Sequence, residues 1–292
     1  MLGKPSRILP CATDLETEDL ITPQDMVVTL SHTGYMKSQP VSEYRAQKRG
    51  GRGKQAMATK EDDWIDQLFI ANTMKNISSL PRPKAILFDL DGTLLDTAPD
   101  LAAAINLLRT ERSLEPVPFE TLRCVASQGS PGLIRAAFGL TSNDPGYQEL
   151  VKEFLARYRA AMTVKTTLFK GIPELLQSLQ GQGIKWGIVT NKIAQLTDPL
   201  IAKIGLHEAG CVISGDTMPH PKPHPAPVLE AARRLALEPV ECWFVGDDLR
   251  DIQAGRAAGT ITIAAGWGYC TDPISWDADY LVQTPQEILK LI

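Results

Sequence analysis

Two aspartates separated by a single residue, Asp89 and Asp91, follow an apolar run in the segment ILFDLDGTLLD. The run at residues 85–88 predicts a short strand that is buried on both faces of a parallel sheet. Because side chains at positions i and i+2 of an extended chain point to the same side, both carboxylates would project beyond the end of this strand. Two adjacent anions repel each other unless a cation lies between them or one carboxyl keeps its proton. Either arrangement can serve catalysis, although an isolated aspartate pair of this spacing is just as often a solvated turn.

Two other polar clusters contain groups that suit a phosphate. In IVTNK, Thr190 and Asn191 come directly after a predicted strand, where a hydroxyl and free backbone N–H groups can hold an anion. Simple capping of the next helix is the alternative for this pair. In HPKPHP, Lys222 lies in a proline-stiffened loop, which favours a cation held in one place. His220 and His224 of the same loop are interpreted as turn or surface groups rather than metal ligands.

A third cluster, in FVGDDLRDI, brings together Asp247, Asp248 and Asp251 after another apolar run. Like charges at this density suggest a divalent cation bound by hard oxygen ligands. The alternative is helix capping by Asp247 or Asp248, with Asp251 favoured by the helix dipole.

The elements that would position these clusters alternate between strand-like and helix-like segments from Lys84 onward. IKWGIVT, CVIS, CWFVG and TITIAA are typical of short buried strands, and QLTDPLIAKIG and APVLEAARRLAL are typical of helices. This alternation predicts the α/β class, a Rossmann-like parallel sheet with helices on both faces. Between Asp96 and Phe169 the pattern is helical throughout, which predicts an all-helical insert that could close over the carboxyl edge of the sheet. Every polar cluster falls at that edge, where ligands bind in open α/β sheets.

FDLDGTLLD, VTNK, KPHP and GDDLRD occur in the order of four family motifs, and residues 84–292 resemble the phosphatases of the haloacid dehalogenase superfamily. The resemblance implies that Asp89 is the nucleophile that forms an aspartyl-phosphate. Asp91 would be the general acid for the leaving alcohol and then the general base for water. Mg²⁺ would be held by the Asp89 carboxylate, the Asp91 backbone carbonyl and Asp247. Gly92 would permit a close backbone approach to the phosphate.

The same resemblance assigns roles to the remaining polar residues of the motifs. It implies that Thr190, Asn191 and Lys222 bind the phosphoryl oxygens. Asp248 and Asp251 would order metal-bound water or Lys222. The presence of Asp91 favours phosphate hydrolysis or transfer over dehalogenation, so a phosphomutase remains open, whereas the lack of membrane spans excludes a metal-transporting ATPase.

At the subfamily level, LDTAPDL, LFKGIPELL and GDDLRDIQAGRAAG resemble the phosphoglycolate phosphatase group, and WGIVTNK with WGY resembles its N-acetylmuramic acid 6-phosphate phosphatases. A small sugar or organic-acid phosphate is implied, with the muramic ester of peptidoglycan recycling preferred over 2-phosphoglycolate. Both substrates carry a carboxylate, which requires a cation or donor in the helical insert. Gln128 and Ser130 are the preferred candidates, since Arg123 and Arg135 fit a solvated helix face equally well.

The N-terminal part differs in character. DLETEDLITPQDMVVTLSHTGYMKSQPVSEYRAQKRGGRG resembles the start of the DNA gyrase A C-terminal domain. One blade cannot close that family's β-pinwheel. We therefore expect residues 1–73 to be a β-rich, non-functional fragment, with DNA binding through residues 45–54 as the competing class of function. The core would comprise residues 74–95 and 169–292, and the helical cap residues 96–168.

The composition of the chain limits its possible partners, its redox compartment and its location. The 292 residues carry a formal net charge of −4, which implies no general attraction to nucleic acid or anionic membranes. The five cysteines lack CxxC spacing, which favours a reducing compartment and no zinc site. No signal peptide or membrane span is indicated, so a cytoplasmic location is expected. The oligomeric state is not indicated.

Overall fold

The computed structural model describes residues 25–31, 36–40, 65–72, 81–269 and 273–292. The chain divides into two compact units, Met1–Leu80 and Pro81–Ile292. The first unit contains a three-stranded antiparallel sheet of order β2-β1-β3, formed by β1 (Asp25–Ser31), β2 (Met36–Pro40) and β3 (Ile65–Asn72). The basic segment at residues 45–54 lies outside the described ranges.

The second unit is built on a six-stranded sheet of order β11-β10-β9-β4-β7-β8, in which all neighbouring strands run parallel. The strands of this unit are β4 (Ala85–Phe88), β5 (Leu95–Asp96), β6 (Thr167–Leu168), β7 (Lys185–Val189), β8 (Val212–Ile213), β9 (Cys242–Gly246), β10 (Ile261–Ala265) and β11 (Tyr280–Val282). The predicted α/β class with a parallel sheet is therefore confirmed, although β8 is shorter than CVIS suggested.

The helices are α1 (Ala98–Thr110), α2 (Phe119–Arg123), α3 (Gly129–Phe138), α4 (Tyr147–Ala161), α5 (Ile172–Gly181), α6 (Ala194–Ile204), α7 (Ala226–Arg234), α8 (Leu249–Ala258) and α9 (Pro285–Leu291). Helices α6, α7 and α8 each connect two strands of the parallel sheet, and α5 leads from β6 into β7. Within the described ranges, no helix combines the length and the apolar character that crossing a bilayer would require.

The core explains why β4 ends at the site. All four of its side chains are fully buried, and Ala85 and Leu87 belong to one apolar cluster with residues of α7 and α8. Because side chains alternate along a strand, Ile86 and Phe88 face the opposite layer. Burial on both faces is worth roughly 1.5–3 kcal/mol for each large apolar side chain, so the position of β4 is strongly determined. The first polar residue, Asp89, is thereby placed at the carboxyl edge.

A helical insert, formed by α1 to α4, lies between β5 and β6. These two strands pair antiparallel through Leu95 with Leu168 and Asp96 with Thr167, so the chain leaves and re-enters the core at one place. The buried Asp100 of α1 strengthens this junction, because its carboxylate accepts hydrogen bonds from the backbone N–H groups of Lys165 and Thr166 at 2.9–3.0 Å. The insert is thus anchored beside the carboxyl end of β4.

Candidate active site

Asp89 and Lys222 form a buried ion pair at the end of β4. The Lys222 ammonium lies 2.7 Å from Asp89 Oδ1, and it contacts Asp251 Oδ1 at the same distance. Its Nζ also donates to the carbonyl of Val189 at 2.8 Å. These three contacts use all three donors of the ammonium, so Lys222 is held in one position. The expectation that the KPHP loop provides a cation beside the first aspartate agrees with this geometry.

Asp91 is held by two partners at the start of the helical insert. The Thr97 hydroxyl donates to Asp91 Oδ1 at 2.5 Å, and Lys192 Nζ lies 3.0 Å from the same oxygen. Lys192 is the last residue of the VTNK motif, but the sequence assigned it no role in the site. Its position two residues after Thr190 at a strand end is the signal that could have found it, because such residues point to the same side.

Asp247 is fully buried at the end of β9. Its carboxylate accepts hydrogen bonds from the hydroxyls of Thr93 and Ser127 at 3.1 and 3.0 Å, and from the backbone N–H of Tyr269 at 3.1 Å. A Cβ at Gly92 would lie 2.1 Å from Asp247 Oδ2. The Asp247 carboxylate therefore approaches Gly92 closely. The close approach of a phosphate to Gly92 stays a prediction.

The electrostatics of the cluster favour a cation. Asp89, Asp247 and Asp251 each offer a carboxylate oxygen within 4.8 Å of the others, and all three are buried. Burial, followed by the charges of Asp89 and Asp251, raises the pKa of Asp247 well above its usual value. The Lys222 ammonium pairs with two of these carboxylates, Asp89 and Asp251, so the cluster of three combines hard oxygen donors with excess negative charge, which suits Mg²⁺. The side-chain cluster includes Asp251, whereas the set expected from the sequence used the Asp91 carbonyl instead.

Thr190 and Asn191 follow β7, and their side chains form different hydrogen bonds. Thr190 is buried, and its hydroxyl oxygen accepts the N–H of Lys192 at 3.1 Å, which leaves its proton available to a phosphate. The Asn191 amide donates to the backbone carbonyl of Lys222 and accepts the Lys222 N–H, both at 2.9 Å. The side chain of Asn191 thus positions the Lys222 loop with its oxygen and one of its two amide N–H donors, and its contact with phosphate stays a prediction.

Asp248 and Asp251 shape the start of α8. Asp248 is the N-cap, and its side chain accepts the N–H of Arg250 at 2.9 Å while Asp251 accepts the N–H of Asp248 at 3.1 Å. Helix capping is therefore the role of Asp248, and Asp251 also orders Lys222 directly. Arg250 pairs with Asp248 at 2.7 Å and donates to the backbone carbonyl of Ser127 at 2.5 Å. This last bond links the core to the helical insert.

A cavity of about 310 Å³ opens between the sheet edge and the helical insert. The core side contributes Asp89, Asp91, Thr190, Lys192 and Lys222, and the insert contributes Gln128, Ser130, Phe154, Leu155 and Tyr158 among others. Both insert residues proposed from the sequence, Gln128 and Ser130, therefore line this cavity.

The two arginines that the sequence offered as alternatives point elsewhere. Arg123 donates to both carboxylate oxygens of Asp96 at 2.9 Å and lies over the ring of Tyr269. Arg135 donates to Gln128 at 2.9 Å. Neither lines the cavity among the described residues.

Tyr269 is the tyrosine of the WGY segment, to which the sequence assigned no role in the site. Its buried hydroxyl accepts the backbone N–H groups of Thr97 and Ala98 at 2.6 and 2.9 Å. It therefore holds the beginning of α1 and, through Thr97, the position of Asp91. Only the three-dimensional packing of distant segments could have indicated this role.

Comparisons with known proteins agree with this arrangement. Residues 86–265 match the family described as haloacid dehalogenase-like hydrolase, and residues 25–72 match the family described as DNA gyrase C-terminal domain, beta-propeller. A phosphoglycolate phosphatase of Xanthomonas campestris is 44% identical over 210 residues, covering 70% of this chain and 95% of that protein. An N-acetylmuramic acid 6-phosphate phosphatase of Pseudomonas aeruginosa is 41% identical over 215 residues, covering 72% and 95%. The crystal structure of a predicted phosphoglycolate phosphatase from Haemophilus somnus superposes with a TM-score of 0.66 at 26% identity, covering 73% of this chain and 99% of that one.

Proposed function

The chain belongs to the haloacid dehalogenase-like hydrolase family and is an enzyme with phosphatases among its relatives, and we propose that it hydrolyses small phosphomonoesters through an aspartyl-phosphate on Asp89. One observation carries this proposal. Asp89, Asp91, Thr190 and Lys222 reach a single cavity from three separate segments of the core. No structural requirement of the sheet explains a buried aspartate, a second aspartate and a buried lysine at this one edge.

The chemistry divides between the two aspartates. A carboxylate oxygen of Asp89 forms a bond to phosphorus while the ester bond to the leaving oxygen breaks, and Asp91 gives that oxygen a proton. Asp91 then takes a proton from water as the water oxygen attacks phosphorus, which releases phosphate and restores Asp89. Lys222, 2.7 Å from Asp89, would face the phosphoryl oxygens as their charge is redistributed, together with the Thr190 hydroxyl.

Mg²⁺ fits the donor set of this site. The carboxylates of Asp89 and Asp247 and the backbone carbonyl of Asp91 would hold the ion, with Asp251 close enough to order a bound water. When bound, Mg²⁺ neutralises the clustered charge and polarises the phosphoryl group. The buried Asp247 has no other part in the two proton transfers, so its place beside Asp89 supports this assignment.

For the substrate, we favour N-acetylmuramic acid 6-phosphate, which would place the enzyme in peptidoglycan recycling, over 2-phosphoglycolate. Relatives of both names match this chain at similar identity, so the comparisons support the two equally. The cavity of about 310 Å³ lies at the lower end of the roughly 300–1,000 Å³ typical of small-molecule sites. A substituted hexose phosphate fills this space more completely than a two-carbon acid phosphate does.

The test is a comparison of kcat/KM with Mg²⁺ for both esters and several hexose phosphates. We expect the muramic ester to be preferred, and a preference for 2-phosphoglycolate would overturn the substrate assignment alone. Asp89→Asn, which removes the nucleophile without changing its size, should lower hydrolysis of every ester by several orders of magnitude. Turnover by Asp89→Asn at the wild-type rate would refute the mechanism.

A further inference from the structure

Three cationic side chains line the cavity among its described residues, Lys192, Lys222 and Arg250. These three side chains differ in the carboxylates with which they form ion pairs. Lys222 is paired with Asp89 and Asp251, and the proposed mechanism commits it to the phosphoryl group. Arg250 is paired with the cap residue Asp248 and also holds the insert through the carbonyl of Ser127. Both therefore have structural or catalytic partners that stay in place.

The ammonium of Lys192 forms an ion pair with Asp91, which has to contact the ester oxygen during the proposed reaction. This ammonium lies 3.0 Å from Asp91 Oδ1 and 3.3 Å from the Tyr158 hydroxyl, and 4.8 Å from the centre of the Tyr158 ring. An ammonium has three donors, so two hydrogen bonds leave one donor for a ligand. When Asp91 turns toward the ester oxygen, Lys192 loses its anion. A buried cation without a partner is costly.

The location of Lys192 also favours contact with the leaving alcohol. It lines the cavity next to Asp91, which must reach the ester oxygen, and Tyr158 brings it against α4 of the helical insert. Arg123 and Arg135, the cations that the sequence suggested for this role, do not line the cavity; Arg123 pairs with Asp96 and Arg135 donates to Gln128. A carboxylate on the alcohol part of the substrate could therefore replace Asp91 as the partner of Lys192.

Resting on the proposed phosphatase function, we propose that Lys192 is a specificity-determining residue that selects phosphate esters whose alcohol part carries a carboxylate. The carboxylate pairs with the Lys192 ammonium while Asp91 serves the ester oxygen. An ester of the same size without the carboxylate leaves the cation unpaired and is used less well.

The experiment compares matched esters. N-acetylmuramic acid 6-phosphate is paired with N-acetylglucosamine 6-phosphate, which lacks the whole lactyl ether with its carboxylate. 2-Phosphoglycolate is paired with ethyl phosphate, in which a methyl group replaces the carboxylate. For the pair that is hydrolysed faster, wild type should prefer the carboxylated ester in kcat/KM by roughly 10- to 100-fold, the range of one charged hydrogen bond. Lys192→Met should bring this ratio close to one. Lys203→Met, a substitution at an exposed position of α6, should leave kcat/KM for both esters of the pair unchanged.

The ratio separates recognition from positioning. If Lys192 only orients Asp91, Lys192→Met lowers kcat/KM for both esters by the same factor. The preference for the carboxylated ester then persists, which overturns the proposal. Wild type without a preference also overturns it, and this arm requires no variant. Failure of wild type to hydrolyse any ester refutes the phosphatase function itself. If circular dichroism shows that Lys192→Met is not folded, Lys192→Arg is used in its place. The longer side chain of Lys192→Arg displaces the charge and should reduce the preference for the carboxylated ester. An unchanged preference contradicts the proposal.

Discussion

At the scale of single residues, Gly92 shows how closely the site is built around Asp247. Its φ is +89°, a left-handed conformation, and an added Cβ would lie 2.1 Å from the Asp247 carboxylate. Gly139 has a similar φ of +71° but no heavy atom within 4 Å of such a Cβ. Gly139→Ala should cost about 1–2 kcal/mol of unfolding free energy through backbone strain alone. Gly92→Ala should cost more and also abolish activity, because Asp247 must move.

Chemical denaturation and kcat/KM of both glycine variants check this prediction. Gly139→Ala is the control for the shared left-handed backbone, and it should keep kcat/KM within about two-fold of wild type. Equal losses of stability and activity in the two variants would show that the contact between Gly92 and Asp247 is unimportant.

The buried carboxylates predict a dependence of stability on pH. Burial, with the charges of Asp89 and Asp251, raises the pKa of Asp247, and burial raises that of Asp251 to about 7 despite Lys222. The folded protein therefore binds more protons than the unfolded chain above about pH 4, so this contribution to stability falls as pH rises. Without divalent cations, Tm should decrease from about pH 5 to about pH 8, and Mg²⁺ should raise Tm more at the higher pH.

The variant Asp247→Asn provides the control for this titration. It should weaken both the decline of Tm with pH and the effect of Mg²⁺, because one carboxyl of the cluster is gone. A Tm of the metal-free wild type that rises over the same range would contradict the electrostatic account.

The sequence identified the residues whose chemistry is tied to a motif, and it missed those that act through packing. Asp89, Asp91 and Thr190 could be placed at the carboxyl edge because strand periodicity and sheet topology determine that edge. Lys222 lies in the loop between β8 and α7, and its proline-rich sequence was the signal that identified it. The position of Tyr269 depends on contacts with a segment more than one hundred residues away, which local patterns do not encode. The same limit explains why the hydrogen bonds between the Asn191 side chain and the Lys222 loop were not predicted.

At the scale of elements, the bond from Arg250 of α8 to the Ser127 carbonyl connects the core to the helical insert. Arg250→Met should loosen this connection and lower kcat/KM by roughly ten-fold, since the loss of a charged hydrogen bond costs about 1.5–3 kcal/mol. The matched control is Arg256→Met on the same helix, whose partner Asp277 is highly exposed and lies away from the cavity. Steady-state kinetics distinguish the two, and equal rates in both variants would show that the connection does not affect catalysis.

Five of the six strands of the parallel sheet were predicted, because burial on both faces requires continuous apolar runs, as in β4 and β9. The edge strand β11 was not predicted, and only one of its three residues is buried. The pairing of β5 with β6 was not predicted either, since two-residue strands carry no periodic signal. The orientation of the helical insert depends on this pairing and on the hydrogen bonds of Asp100. Helix patterns therefore predicted an insert that could close over the carboxyl edge of the sheet, while the contacts that anchor the insert came only from the structure.

At the scale of the whole molecule, we predict that residues 1–73 are dispensable for hydrolysis. The second unit has its own apolar core, and the relatives match 70–72% of this chain along 95% of their own lengths. A chain that begins at Met74 should retain kcat/KM within about two-fold and the cooperative unfolding of its domain. Loss of solubility or activity on this deletion would show that the gyrase-like segment supports the enzyme.

The central claim is that phosphate passes through a covalent bond to Asp89. The most direct measurement is rapid acid quenching of the enzyme during turnover with Mg²⁺ and a phosphate ester, followed by peptide mass spectrometry. We expect a phosphoryl group on the peptide that contains Asp89, and no phosphoryl group on the same peptide of Asp89→Asn. A phosphoryl group on another residue, or turnover by Asp89→Asn at the wild-type rate, would contradict this claim.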